Sequence, residues 1–337
     1  FFFEPFVESC QSDAWPLPYA MPQLSVAPAS ASLQERGYHY KLDPKGEPQC
    51  LGSGAFAKVL LLENADGQMC VSKQVNVPQL KKADRALIDN EVAILQQIDH
   101  PHVMRCFDTF TDPEGVLHIV CEYAAGGDLC QRIQCQKAKG YPFAEATVMN
   151  WFVQLCQALD CLHQKRILHR DLKAENVLLT VAGAVKLADF GVSVQLQPGR
   201  KARTVVGTPY YYSPEMCEGL SYDEKSDVWS LGILLYEIIT FSLPYYSEVP
   251  KEVMKQIMYG PKPTLPDTVS TALAEIVAAL LTKDINKRPM ISEVLAMSYV
   301  QNFVGSDPVG SPCVSPSPPK SPAAEEEEYE DDFENED

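Results

Sequence analysis

The stretch ILHRDLKAENVLL, residues 167–179, constrains the fold more than any other part of the chain. Apolar runs on both sides want to leave water. Between them stand His169, Arg170, Asp171, Lys173, Glu175 and Asn176. Buried charge is tolerated only when it is paired or put to chemical use. The chain must therefore hold a rigid polar loop between packed segments, which implies a sizeable core around it. Apolar residues make up 46% of the 337, enough for such a core.

The organisation of the chain follows from its patterning. Residues 1–43 are mostly rich in Pro, Ser and Ala and read as a largely disordered leader. The opening FFFEPFVES is apolar, but Glu4, Pro5 and the lack of cations do not suit a secretory signal. Residues 304–337 read as a Ser/Pro linker followed by an acidic run, EEEEYEDDFENED. Ser311, Ser315, Ser317 and Ser321 each precede a proline there. Eleven acidic residues and one lysine fall in 305–337, so −10 of the net −17 sits in that segment and the remaining 304 residues carry −7. That balance argues against nucleic acid as a partner. No apolar run reaches the roughly 18 residues of a membrane span, so no membrane partner is expected either. The eleven cysteines include no CxxC pair. They read as reduced thiols in a cytoplasmic or nuclear protein.

Between the tails, residues 44–303 carry a globular pattern. AKVLLLEN and MCVSKQVNV are short β-rich runs around the turn signal NADG, and GVLHIVCEY is a further strand. LKKADRALIDNEVAILQQI has a helical period, with Leu87, Ile88, Val92, Leu95 and Ile98 expected inward. ATVMNWFVQLCQALDCLHQ places Val148, Phe152, Leu155, Leu159 and Leu162 on one face. SDVWSLGILLYEIITF is apolar almost all round, as in a helix buried within its lobe, with Ser226 or Asp227 as its cap. The expected fold is α+β and bilobal: a small β-rich lobe over about 44–123 and a larger, mainly helical lobe over about 124–303. A cleft between lobes is a natural ligand site.

Four groups of residues carry candidate chemistry. LGSGAFAKV contains Gly52 and Gly54, whose freedom leaves backbone amides able to cover phosphates, though two glycines between strands also suit a plain hairpin. A strand follows this loop, so it is neither a dinucleotide fingerprint, which opens a helix, nor a P-loop. Lys73 lies mid-strand in an apolar run. It is either an edge residue with a solvated head or the partner of Glu91, which stands among the core-facing positions of the next helix. Asp171 and Asn176 lie in the polar loop, and Asp189 follows the apolar run before DFG. Singly, each is an ordinary cap or turn residue. Together with a glycine loop they suit one task, holding Mg²⁺ on a nucleotide phosphate with hard oxygen ligands.

In this order the set resembles the eukaryotic protein kinase signature: Gly-rich loop, VAIK lysine, helix-C glutamate, HRDxKxxN, DFG and APE. The resemblance covers roughly 44–303. VVGTPYYYSPEMCEGLSYDEKSDVWSLGILLYEI and DINKRP are similar to the NIMA-related (NEK) kinases, while HRDLKAEN is closer to the microtubule-affinity group. The resemblance implies a serine/threonine kinase using ATP and Mg²⁺ on protein substrates. Lys73 would hold the α- and β-phosphates and pair with Glu91. Asp171 would take the proton of the acceptor hydroxyl, Lys173 would steady the γ-phosphate, and Asn176 and Asp189 would bind Mg²⁺. Leu51, Gly52, Ser53, Gly54, Ala55, Phe56, Ala57, Lys58 and Val59 would form the loop over the nucleotide. Val59 and Val71 would roof the adenine and Leu178 would floor it. Cys121 falls at the gatekeeper position, with Glu122 to Ala124 at the hinge. Lys173 and Thr208 resemble serine/threonine rather than tyrosine kinases, and Val192 leans toward threonine acceptors. Arg170 would bind a phosphate on Thr204, placed there by an upstream kinase or by autophosphorylation, and Arg288 would pair with Glu215. The departures are Ala57 for the third glycine, Ser72 in CVSK and Ser213 for the alanine of APE. None removes a catalytic group. A pseudokinase scaffold, or an active kinase of the calcium/calmodulin or microtubule-affinity type, are the alternatives. A cytoskeletal or basal-body location follows from the resemblance alone.

Overall fold

The structure, a computed structural model, describes residues 26–27, 31–53, 57–197, 199–204 and 206–305. Most of the leader and the acidic tail lie outside the described residues. The first lobe is built on seven antiparallel strands: β1 (Val26–Ala27), β2 (His39–Lys41), β3 (Cys50–Ser53), β4 (Ala57–Glu63), β5 (Met69–Asn76), β6 (Cys106–Thr111) and β7 (Val116–Glu122). Their order is β1-β2-β4-β5-β7-β6, with β3 also paired to β4. The NADG turn forms as expected. The Asn64 side chain accepts the N–H groups of Asp66 and Gln68 at 3.1 and 2.8 Å, alongside the backbone bond from Gly67 N to Asn64 O at 3.0 Å.

The two faces of this sheet bury different things. On one face Val71, Ile119 and Cys121 join the main core together with Ile94, Leu95 and Ile98. Ile94 and Leu95 belong to α2 (Lys82–Leu95). On the other face Leu62, Cys70, Phe110 and Val120 form a smaller cluster with Leu33 and Tyr38. Leu33 lies on α1 (Ala31–Glu35) and is fully buried. Arg36 closes this cluster, its guanidinium 4.2 Å from the Phe110 ring centroid and 2.8 Å from Asp108. Residues 31–43, assigned to the leader from the sequence, are thus part of the first lobe. A five-residue helix with one apolar anchor leaves no periodic trace in the sequence. Leu87 also departs from expectation, being 47% exposed. The period of α2 is as read, but only its C-terminal half meets the sheet, through Glu91, Ile94 and Leu95.

The second lobe holds α3 (Leu129–Lys139), α4 (Glu145–Gln164), α5 (Pro214–Cys217), α6 (Lys225–Thr240), α7 (Pro250–Tyr259), α8 (Thr271–Leu280), α9 (Ile291–Leu295) and α10 (Ser298–Gln301). Four short strands cross its upper surface as two pairs. β9 (Val177–Leu179) pairs with β10 (Val185–Leu187), and β8 (Ile167–Leu168) pairs with β11 (Val194–Gln195). Helix α6 is buried along most of its length. Gly232 lets α8 approach it, since a Cβ there would stand 2.8 Å from both Leu280 Cβ and Leu281 Cδ2. Arg288 and Glu215 form the expected ion pair, bidentate at 2.8 and 3.0 Å and almost fully buried. Ser226 donates to the same carboxylate at 2.7 Å, so no charge is left unpaired.

Replacing Leu33 by Ala tests whether α1 belongs to the lobe. Loss of a fully buried leucine predicts a cost of about 2–4 kcal/mol. Urea unfolding of the full chain would read it, and an unchanged midpoint would return residues 31–43 to the leader.

Candidate active site

The site lies where β5, β7 and α2 of the first lobe face the β8–β11 layer of the second. Lys73 sits on β5, in register with Val59 of β4 on one side and Ile119 of β7 on the other. Its Nζ donates to both carboxylate oxygens of Glu91, at 2.6 and 2.8 Å. Glu91 is only 4% exposed, and Lys73 keeps this buried carboxylate from standing without a counter-charge. Burial pulls the Lys73 pKa down, but Glu91 and Asp189 outweigh it and the net shift is upward. Lys73 is therefore a cation held between two carboxylates from different elements.

Asp189 has a φ of +63°, a left-handed conformation unusual for a non-glycine residue, and its Oδ1 accepts from Gly191 N at 3.2 Å. Phe190 next to it is fully buried and meets the His169 ring edge-on at 5.2 Å. His169 Nε2 is 3.1 Å from the Ala188 carbonyl. These contacts fix the segment carrying Asp189 against the loop carrying Asp171.

The Asp171 carboxylate is held from all sides. Oδ1 accepts from the backbone N and the hydroxyl of Thr208, at 3.0 and 2.9 Å. Oδ2 takes Lys173 Nζ at 2.8 Å and Asn176 Nδ2 at 3.0 Å. Lys173 also donates to the Thr208 hydroxyl at 3.1 Å. Burial pushes the Asp171 pKa up, but Lys173 and Thr208 more than offset this and hold it below the usual carboxylate range. The close approach of Thr208 requires Gly207. Its φ is +105°, and a Cβ there would stand 2.5 Å from the Arg170 carbonyl oxygen.

Arg170 has a φ of +67°. Its Nε donates to the Val192 carbonyl at 2.5 Å and its Nη1 reaches the Tyr222 hydroxyl at 3.4 Å. Tyr222 in turn donates to the Thr204 carbonyl at 2.6 Å. Thr204 itself is exposed. Leu51, Gly52 and Ser53 lie on β3, and Ala57, Lys58 and Val59 on β4, paired as Gly52–Val59 and Ser53–Lys58. Gly54, Ala55 and Phe56 lie outside the described residues. Val71 and Cys121 are direct cross-strand partners, and Leu178 sits on β9, bridged to Asp128. Ala124 is buried just past the end of β7, while Glu122 pairs with Lys186 at 2.7 Å.

Two residues that position the site were not assigned to it from sequence. Asp227, expected as a helix cap, instead points out of α6. It accepts the backbone N–H groups of His169 and Arg170, each at 2.9 Å, and His163 Nε2 at 3.0 Å. Asn90 on α2 donates to the Ser193 carbonyl at 2.8 Å, tying the helix that carries Glu91 to the segment after Asp189. Asp227 did carry a signal, in KSDVW, but its local role explained it sufficiently. Asn90 carried none.

The bilobal fold and these charge pairs define a protein kinase. Residues 47–300 match the family described as "Protein kinase domain", and the chain belongs to that family. Its kinase domain is similar to those of Nek kinases. It is 40% identical over 256 residues to the mouse serine/threonine-protein kinase Nek3, covering 75% of this chain and 49% of that protein. It is 37% identical over 254 residues to mouse Nek1, covering 75% and 21%, and 35% identical over 259 residues to human Nek5, covering 76% and 36%. The chain spans at most about half the length of these three relatives.

One half-buried acid, Glu237, predicts a pH effect. Burial, with the nearby Glu175 charge, raises the Glu237 pKa to about 7, although the Tyr211 hydroxyl donates to it at 2.5 Å. Between the ordinary glutamate value and about 7 the folded state binds more protons than the unfolded, so stability falls as pH rises through that window. Glu237→Gln should remove the fall. In urea titrations the variant should exceed wild type at pH 8 by on the order of 1 kcal/mol and match it at acid pH.

Proposed function

We propose that this chain is a serine/threonine protein kinase that transfers the γ-phosphoryl group of ATP to protein hydroxyls. The observation that carries the reading is the simultaneous engagement of its two halves. Lys73 is paired with Glu91 and feels Asp189, while Asp171 is ionised and oriented by Thr208, Lys173 and Asn176. Phosphoryl transfer asks a protein for positioning and charge stabilisation more than for covalent chemistry, and that is what these contacts supply.

The residues present fit Mg²⁺. Asn176 is 7% exposed and its amide nitrogen is engaged by Asp171, which leaves the side-chain carbonyl oxygen as its ligand atom. Asn176 and Asp189 together offer hard oxygens without thiol or imidazole, matching an ion that also keeps water and phosphate ligands. When bound, Mg²⁺ would neutralise charge on the phosphates. Lys73 would hold the α- and β-phosphates. Val59, Val71 and Leu178, with Cys121 and Ala124 at the strand end, would enclose the adenine. Asp171 would orient the acceptor hydroxyl and take its proton. The Thr208 hydroxyl already donates to Asp171 Oδ1, so this carboxylate accepts from an aliphatic alcohol in the folded site. Its substrates would be proteins with Ser or Thr acceptors. The nine free cysteines among the described residues support a reducing compartment such as the cytoplasm, which imaging of the tagged full chain would check.

Label transfer from Mg·ATP onto a peptide library with Ser or Thr acceptors tests the reading. Asp171→Asn keeps the shape of the side chain but removes the proton acceptor, and transfer should fall by about a thousandfold. No transfer by wild type already phosphorylated on Thr204 would overturn the proposal.

Activation-loop phosphorylation is part of the same reading. The Thr204 backbone is joined to Arg170 through Tyr222, so a phosphate on Thr204 would lie within reach of a guanidinium adjacent to Asp171. Thr204→Ala should lower turnover roughly tenfold or more relative to the phosphorylated enzyme, the worth of one or two charge-assisted hydrogen bonds. Equal turnover in matched assays would remove Thr204 from the activation mechanism.

A further inference from the structure

Behind Lys73 lies a pair of thiols whose reactivity phosphoryl transfer does not use. Cys106 on β6 and Cys121 on β7 are direct cross-strand partners. Glu122 N donates to Arg105 O at 2.9 Å, which makes the neighbouring 105/122 pair the hydrogen-bonded one. Cys106 and Cys121 therefore occupy a non-hydrogen-bonded position, where Cα atoms approach to about 4.5 Å and side chains lie closest. That spacing is within the range a disulfide spans. Partners in register share a face of the sheet, and here it is the face of Val71 and Ile119, which looks toward α2.

Three further observations distinguish this pair from the other cysteines. The two thiols shift each other's pKa in opposite directions, and both feel the charge of Glu91. The contact with Cys121 pulls the Cys106 pKa down against its burial, which favours the nucleophilic thiolate. Cys106 is half-buried on β6, the edge strand, beside a break in register between Cys106 and Asp108. A small oxidant can reach it from the open edge, whereas Cys121 is buried.

We propose that Cys106 and Cys121 are a peroxide-sensitive pair that closes to a disulfide and thereby lowers activity at the adjoining nucleotide site. Cys106 thiolate attacks hydrogen peroxide, the O–O bond breaks, and hydroxide leaves to become water. The resulting Cys106 sulfenic acid is attacked by the Cys121 sulfur. The S–S bond forms as the S–O bond breaks, and the hydroxyl leaves as water with the Cys121 proton. Two thiols and one peroxide give one disulfide and two waters. Closure brings the sulfurs to about 2 Å, so both side chains must turn toward each other and Cys121 leaves its present packing beside Val71. Cys121 is in register with Val71, two residues before Lys73, and the Lys73 charge acts on its thiol. A shift of about 1 Å in a positioned site can cost up to about a hundredfold in rate.

The effect on activity rests on the kinase reading; the cross-link does not. The experiment treats the native full chain with hydrogen peroxide, maps peptides by mass, and measures kcat/KM for peptide phosphorylation before and after dithiothreitol. The expected result is a Cys106–Cys121 cross-linked peptide two hydrogens lighter, with kcat/KM down about ten- to a hundredfold and restored by reduction. Cys106→Ser should keep the activity of the reduced wild type and lose the peroxide response. A Cys106 sulfenic acid trapped by dimedone with no cross-link would overturn the proposal. So would a cross-link that leaves kcat/KM unchanged, or an equal peroxide response in Cys106→Ser. Because the cross-link is read by mass, failure of the reduced protein to phosphorylate peptide would count against the kinase reading and leave the disulfide result standing.

Discussion

The arrangement rests on one buried carboxylate. Asp227 is 2% exposed in the first turn of α6, a helix buried along most of its length. Burial pushes its pKa up, yet His163, the His169 imidazole and the Arg170 N–H hold it below the ordinary range. Its two backbone contacts do more than neutralise a charge. Arg170 is left-handed at φ +67°, a conformation costing roughly 1–2 kcal/mol for a residue with a side chain. Asp227 accepts the N–H groups of His169 and Arg170 where the chain makes that turn, and so selects it against relaxed alternatives. The loop bearing Asp171 is thereby registered to the core and not merely laid on it. Removing the acceptor would strand two buried N–H groups and a histidine, a loss on the order of 3–5 kcal/mol.

From that anchor the site extends outward by hydrogen bonds that each join two segments. Asp171 reaches Thr208, Arg170 reaches Val192, and the Ser193 hydroxyl donates to the His169 carbonyl at 3.1 Å. The segment from Asp189 to Thr208 thus touches the anchored loop at three places along its length. β11 adds a fourth tie through its pairing with β8. A segment held at several points can present a precise surface while leaving Thr204 exposed between them.

What was legible in the sequence follows this division. Lys73, Glu91, Asp171, Asn176 and Asp189 could be read because each is a charged or amide side chain in an apolar setting, in an order that one chemistry requires. The main strands and the long helices announced themselves by period. Asp227 could not be read as part of the site. It lies 58 residues from His169, and an acid at a helix start already has a sufficient local explanation. The helix α1 and the residues after it were hidden for a different reason. Leu33 stands in a Pro/Ser/Ala-rich context, and its burial comes from a sheet face formed much later in the chain. Leu87 shows the complementary failure. Its period is right, but periodicity does not reveal how far a helix overhangs its support.

That overhang bears on how the two halves of the site are joined. α2 packs through its C-terminal half only, so its core contacts leave its tilt weakly determined. Two polar contacts supply what packing does not. Glu91 binds Lys73 on the sheet below, and Asn90 binds Ser193 on the segment after Asp189. Adjacent residues on one helix thus report to different lobes, one to the nucleotide side and one to the loop that carries Thr204. Moving that segment would release Asn90 and remove one of the two constraints on the helix. Beyond its core contacts, the helix would then keep only the Lys73–Glu91 pair of these two, with a partly exposed lysine as one of its members. The position of Glu91, and with it the charge balance around Lys73, therefore depends on the order of the segment after Asp189. A half-packed helix is a weaker support than a fully buried one, and that weakness is what makes the pair responsive.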